Sequence, residues 1–166
     1  MNYTNKFNII VAILGGLMGI FIVMVSFNYF GEIPLDNIKI TQGHFVKYYD
    51  KIISKYPDGY ICMDDGNEYE IESVTFRAFD REKFLKEVKT DDLLRLSYYA
   101  DTNLNSDVSY NLISVDLGNK NFMNLQKSQN ARYVNQIIGI ILGSAFLLIS
   151  IMLVILSIIR KRLIFF

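Results

Sequence analysis

The chain has 166 residues, 17 basic and 17 acidic, with one histidine and one cysteine, and about half of it is apolar. The length suits one folded unit. A single cysteine excludes an internal disulfide, one histidine with one cysteine excludes a closed zinc site, and the neutral total weighs against a nucleic-acid binder.

Neutrality hides opposed parts. All 17 acidic residues lie between Glu32 and Asp116, and 13 basic ones lie between Lys39 and Arg132, so that segment carries −4. The ends, with Lys6, Arg160, Lys161 and Arg162, carry +4. Abundant Ile, Asn and Lys fit an AT-rich bacterial genome.

Residues 1–7 are polar and precede a first uncharged run over 8–30. A secretory signal would have a shorter apolar core ending in small residues. Here the run ends in Met24-Val25-Ser26-Phe27-Asn28-Tyr29-Phe30, too bulky for cleavage, so a retained transmembrane helix is expected. Gly31 to Leu35 is a short Gly/Pro connector.

Ile38-Lys39-Ile40-Thr41 alternates as a half-buried strand does, and Gly43 is expected to bend or bulge it before Phe45–Tyr49. Tyr60–Met63 and Glu68–Glu72 form a hairpin through Asp64-Asp65-Gly66-Asn67. In its second arm Tyr69 and Ile71 point one way and Glu68, Glu70 and Glu72 the other, and a one-residue slip would bury three carboxylates. Asp80 reads as the N-cap of a short helix, Arg81–Val88, with Phe84, Leu85 and Val88 on its buried side. Leu93–Tyr99 and Tyr110–Leu117 read as strands separated by a polar loop over 100–109. Gly118-Asn119-Lys120-Asn121 turns the chain into Phe122-Met123. A membrane-proximal helix over 124–136 then runs into the second uncharged stretch, 137–159.

That stretch is 23 residues without charge or proline. As a helix it is roughly 34 Å long, enough to cross a ~30 Å hydrocarbon layer with tilt. It contains no ionisable group, which weighs against a pump or coupled transporter. Residues 160–166 form a basic tail. Arg160-Lys161-Arg162 and Lys6 place both termini in the cytoplasm and residues 31–136 outside the plasma membrane. Lys120, Lys127 and Arg132 reduce that contrast. Tyr3, Phe7, Tyr29, Phe30 and Tyr133 suit interfacial aromatic belts, and Phe165 and Phe166 would fold back to the inner surface.

Both spans hold glycines four apart, Gly15 with Gly19 and Gly139 with Gly143, a spacing that lets helices approach closely. In an antiparallel hairpin the two strips lie on the order of 10 Å apart in depth. The spacing is read first as the ordinary glycine content of spans, with no packing role; either strip, if used as a matched pair, is expected to meet a copy in a second molecule.

The expected fold is membrane α+β: two transmembrane helices flanking a small, mainly-β partial barrel with one short helix. The span–strand–hairpin order, the Asp64-Asp65-Gly66-Asn67-Glu68-Tyr69 turn and the Gly118-Asn119-Lys120-Asn121-Phe122 turn resemble uncharacterised two-span bacterial membrane proteins with an OB-like or SH3-like extracytoplasmic domain. The resemblance implies a shape and no catalytic site.

His44 lacks a nucleophile in any recognised motif, Cys62 lies in a strand, and Asp64 and Asp65 do not have EF-hand spacing. No catalytic residue, metal ligand or cofactor is therefore assigned, and the chain is not expected to be an enzyme. Glu68, Glu70 and Glu72 form the acidic ridge of a solvated strand, able to meet a basic protein partner. Tyr48, Tyr49, Tyr98 and Tyr99 are the alternative ligand face, for a wall glycan or lipid head group. The partners expected are the bilayer and an envelope protein or a second copy of the chain, with no nucleic acid.

Overall fold

The computed structural model describes residues 3–51, 57–102 and 108–163. In chain order the elements are α1 (Tyr3–Tyr29), a 3-10 turn (Leu35–Asn37), β1 (Lys39–Lys51), β2 (Asp58–Met63), β3 (Glu68–Ile71), a second 3-10 turn (Phe76–Ala78), α2 (Arg81–Glu87), β4 (Leu93–Thr102), β5 (Val108–Leu117), β6 (Lys120–Met123) and α3 (Leu125–Leu163). Two compact units divide them: Met1–Gly31 with Val134–Phe166, and Glu32–Tyr133.

Ile9–Asn28 and Leu125–Ile159, of which the first unit holds the second helix from Val134 onward, contain stretches long and apolar enough to cross a membrane. Leu14, Phe21, Leu148 and Met152 stand open on their surfaces. The two helices pack antiparallel along a seam of small residues. A Cβ on Gly19 would lie 2.7 Å from the Gly143 carbonyl oxygen, and one on Gly143 would lie 2.8 Å from that of Gly19. On either side a serine fills the notch above a glycine, Ser150 against Gly15 and Ser26 against Gly139. Each serine hydroxyl donates to the carbonyl four residues earlier, Ser26 to Ile22 and Ser150 to Phe146, so its polar group is satisfied within its own helix.

Gly19 and Gly143 thus meet within one molecule, where the offset in depth was expected to keep the two strips apart. The centres of the glycine strips are indeed offset in depth, but Gly19 and Gly143, at their near ends, still meet. Serine, which is nearly as small, continues the close approach where glycine runs out. The side chains of Tyr3, Phe7, Tyr29 and Arg160–Arg162 are outside the described set, as are residues 165 and 166.

The second unit is a six-stranded sheet in the order β3-β2-β1-β4-β5-β6, with antiparallel neighbours. A further pairing, β3 parallel to β5 through Tyr69–Tyr110 and Glu70–Asn111, joins the ends of five strands into a closed circuit. Its interior is filled by Phe45, Ile61, Met63, Tyr69, Ile71, Leu94, Leu96, Leu112 and Val115. From Asn111 to Val115, β5 is buried on both faces.

The first hairpin forms as read from the sequence. Cys62 pairs with Glu68, Tyr69 and Ile71 are buried, and Gly66 takes a φ of +79° in the turn. The bulge in β1 falls between Phe45 and Lys47, not at Gly43. Gly43 instead pairs with Leu94 in regular register, and there it leaves room for the Asp64 carboxylate, which accepts from the His44 amide at 2.9 Å. Of the expected loop at 100–109, β4 claims residues through Thr102 and β5 begins at Val108, while 103–107 lie outside the described residues.

Asp80 caps α2 as expected, accepting from the Lys83 amide at 3.2 Å. Its own amide donates to the Phe122 carbonyl at 2.7 Å, which ties the helix start to β6. Phe84 is fully buried against Phe45, Phe79 and Phe122. Leu85, expected inside, is 49% exposed. On a two-turn helix the buried stripe holds Phe84 and Val88, four apart, and Leu85 lies about 100° away from Phe84 around the axis.

Replacing Gly19 or Gly143 with Val should drive the helices apart at the cost of overpacking, typically 1–3 kcal/mol. Gly16→Ala should be tolerated, because a Cβ there would make an ordinary 3.8 Å contact with Ser150. Thermal melting of the full chain in detergent should show lower midpoints for the two valine variants and an unchanged one for Gly16→Ala.

Candidate functional site

The outward face of β1, β2 and β3 is set by strand alternation and by the β1 bulge. Ile61 and Met63 point inward from β2, so Tyr60 and Cys62 point out. Tyr69 and Ile71 point inward from β3, so Glu68 and Glu70 point out. Along β1, Phe45 lies in the core and Tyr48 packs against it, an odd separation that regular alternation forbids. The extra residue at the bulge shifts the phase and leaves Lys47 and Tyr49 outside.

The registers then assemble two rows, Lys47–Cys62–Glu68 and Tyr49–Tyr60–Glu70. The Tyr49 and Tyr60 rings stack with centroids 5.1 Å apart and planes 12° from parallel. Tyr49 donates its hydroxyl to Glu68 at 2.8 Å, and the Tyr60 hydroxyl bonds Glu70. Lys47 Nζ lies 5.5 Å from the centroid of the Tyr49 ring. Partial burial and the neighbouring carboxylates push both phenols up to about 12. Burial, with Glu68 beside it, pushes the Cys62 thiol up as well, which makes it a poor nucleophile.

Glu70 also sits above the usual carboxylate range. Burial is the main cause, and the charges of Asp58 and Glu72 add to it. Asp58 itself accepts from the Ser73 amide at 2.7 Å.

A second cluster adjoins the first. Arg132, at 4% exposure, donates to Glu72 and to the Tyr99 hydroxyl at 2.8 Å, and its guanidinium carbon lies 5.1 Å from the Tyr99 ring centroid. Tyr99 donates to the same Glu72 carboxylate at 2.8 Å. Burial and the Glu72 charge raise the Tyr99 phenol, keeping it a hydrogen-bond donor. One turn earlier, Gln129 accepts from the Ile33 amide at 2.9 Å and donates to the Ile33 carbonyl at 2.8 Å. Ser128, Gln129 and Arg132 are all buried, so one polar face of α3's first turns is seated on the barrel.

Residues expected to share a site therefore fall in different places. Glu68 and Glu70 share the open face, but Glu72 is bound up with Arg132 and Tyr99. The four tyrosines do not make one ligand face, because adjacent residues of a strand point to opposite sides. Tyr48 turns toward Phe79 and Phe84, and Tyr98 toward Tyr69 and Tyr110. Tyr99 points outward but lies beneath Arg132, leaving Tyr49 alone of the four on the accessible face.

His44 is exposed, with Nδ1 2.8 Å from the Asp91 carbonyl. In the hairpin turn, burial would raise the Asp65 carboxyl, but hydrogen bonds from Asn67 and Tyr69 outweigh it and hold the group low. Among the described residues no group of three or more His, Cys, Asp or Glu is placed to hold a metal ion.

Arg132, Gln129, Lys47 and Tyr60 were not singled out from sequence. Alternation in Tyr60-Ile61-Cys62-Met63 was a signal for Tyr60. For Gln129 and Arg132 the signal was a polar stripe with Ser128 at helical spacing, just ahead of the apolar run, and Lys47 had none.

A raised folded-state carboxyl destabilises the fold when ionised. That penalty is fully present at neutral pH and fades as pH falls through the raised value toward the ordinary one near ~4.3. Glu70→Gln should therefore raise the melting midpoint by a few degrees at neutral pH. The gain should shrink to nothing in melts taken below about pH 4.

No protein-family model matches this sequence, and no curated protein or solved structure matches it significantly. A role for the chain therefore rests on the chemistry of its own residues.

Proposed function

We propose that this chain is a non-catalytic bacterial membrane protein whose two spans hold an OB-like β domain outside the plasma membrane, where it binds another envelope protein or a second copy of itself. The observation that carries the reading is the Tyr49–Tyr60 stack edged by Glu68 and Glu70. Stacked tyrosines offer a large, rigid contact area at low entropic cost. The carboxylates beside them favour a partner that brings lysine or arginine. The partly desolvated Glu70 would gain most from such a cation, which would offset the charges of Asp58 and Glu72. Roles in exclusion, immunity or as a complex accessory all fit this chemistry.

The anchoring half of the proposal is supported by the two apolar helices and the basic residues at their ends. A bilayer would cover the aliphatic side chains that α1 and α3 leave open. Both termini would then lie in the cytoplasm. In intact cells, a membrane-impermeant maleimide should label a cysteine placed at Asn119, in the exposed turn before β6. It should spare one placed at Ile164 until the cells are permeabilised. The reverse pattern would overturn the orientation.

A second reading is favoured by one feature. The closed five-strand circuit resembles OB-like barrels, which use the face of their second and third strands for oligosaccharides and oligonucleotides. Here that face carries Tyr60, so a wall glycan or lipid head group is the alternative ligand.

A photo-crosslinking residue in place of Tyr60 separates the two readings. The protein-partner reading expects a discrete protein adduct in intact cells, lost when Glu68 and Glu70 are changed to Lys. Absence of any protein adduct, with purified full-length protein retained on cell-wall fragments, would replace it with the glycan reading.

A further inference from the structure

Barrel closure links the proposed docking face to the seat of α3. Tyr49 lies opposite Tyr60, Tyr60 opposite Glu70, Glu70 opposite Asn111, and Asn111 opposite Tyr99. Cross-strand partners share a face. These five residues therefore form one outward row, from β1 through β2, β3 and β5 to β4. The row is accessible at the Tyr49–Tyr60 end and lies under Arg132 at the Tyr99 end. Glu72, the first residue past the end of β3, accepts from both Arg132 and Tyr99.

We infer that Arg132 is a latch, and that filling the docking face with a cationic side chain and seating the first turns of α3 on the barrel oppose each other. The inference rests on the docking reading above. The Glu72 carboxylate lies near enough to Glu70 for its charge to act there, and its side chain keeps 28% of its exposure, so a lysine or arginine drawn to Glu70 also reaches it. There it competes with Arg132. A buried guanidinium that loses its carboxylate is strongly disfavoured, so Arg132 withdraws together with its helical turn. The Gln129 pairing with the Ile33 backbone, one turn away, is released in the same step. Coupling of this kind is reciprocal: unseating α3 strengthens binding at the face as much as binding unseats α3.

The test uses the full chain in detergent, with an oligo-arginine peptide as probe. Backbone hydrogen exchange is followed over residues 126–133 and over the barrel strands. The peptide should speed exchange in 126–133 by about fivefold or more while the strands stay protected. Arg132→Met should exchange fast there without peptide and should bind peptide more tightly by a similar factor. Tyr99→Phe removes one hydroxyl and keeps the ring. It should shift both readouts in the same directions by less, and it decides the matter if Arg132→Met unfolds the barrel. Equal peptide affinity in wild type and variants, with exchange in 126–133 unmoved by peptide, would overturn the latch and leave the docking face standing. Peptide binding that Glu70→Gln does not weaken would overturn the docking face and the latch with it.

Discussion

Two residue pairs hold the arrangement together. Among the described residues, the ladder between β3 and β5 is Tyr69 opposite Tyr110 and Glu70 opposite Asn111, yet it turns an open sheet into a ring. Closure hides the β3 edge, which would otherwise present unpaired amides and carbonyls. It also brings Tyr69, Tyr98 and Tyr110, from three strands, into one aromatic cluster with centroids 5.2 to 5.7 Å apart. Each edge-to-face or tilted ring pair of this kind adds about 0.5–1.5 kcal/mol beyond area burial, so the short ladder is backed by packing on its inner side. On its outer side the same closure sets Glu72 beside Tyr99 and gives Arg132 its carboxylate.

Much of this was readable where the cause is local. The 60–71 hairpin has a glycine turn and strict alternation in its second arm, and both depend on residues close in sequence. Asp80 announces α2 because an N-cap acts within one turn. What escaped was what depends on distant partners. No local signal says that Tyr110 will lie beside Tyr69, some forty residues earlier. Gly43 looked like the bulge because glycine tolerates unusual backbone. The bulge came at Val46 because Phe45 and Tyr48 both had core positions to fill, and only an extra residue between them allows that. Arg132 looked like one more charge in the topology count until the fold gave it Glu72.

An ion pair with its guanidinium buried and its carboxylate half-buried is an expensive way to fix a helix to a barrel. Hydrophobic side chains of similar volume often do as well or better, since both charges must be stripped of water. What Arg132 supplies beyond stability is direction. A guanidinium bonded to Glu72 and Tyr99 and laid over the Tyr99 ring admits one rotation of α3 about its axis, whereas an apolar stripe would tolerate several. The Gln129 pairing with both backbone groups of Ile33 adds a second fixed point one turn away. Together they tie the chain entering the barrel unit at Ile33 to the chain leaving it at Arg132.

The three outward carboxylates, Glu68, Glu70 and Glu72, are unevenly partnered, and that is where the chemistry of the face lies. Glu72 has a guanidinium and a phenol, and Glu68 has the Tyr49 hydroxyl and the open solvent around it. Glu70 is partly desolvated between like charges, with a phenol for a hydrogen-bond donor. Folding alone would favour a neutral glutamine at that position, since an amide could keep the Tyr60 contact without the repulsion. Under the docking reading proposed above, a partner's cation beside Glu70 would add to the relief that Lys51 already gives and offset that cost. In that state the same desolvation that weakens the free protein strengthens the contact.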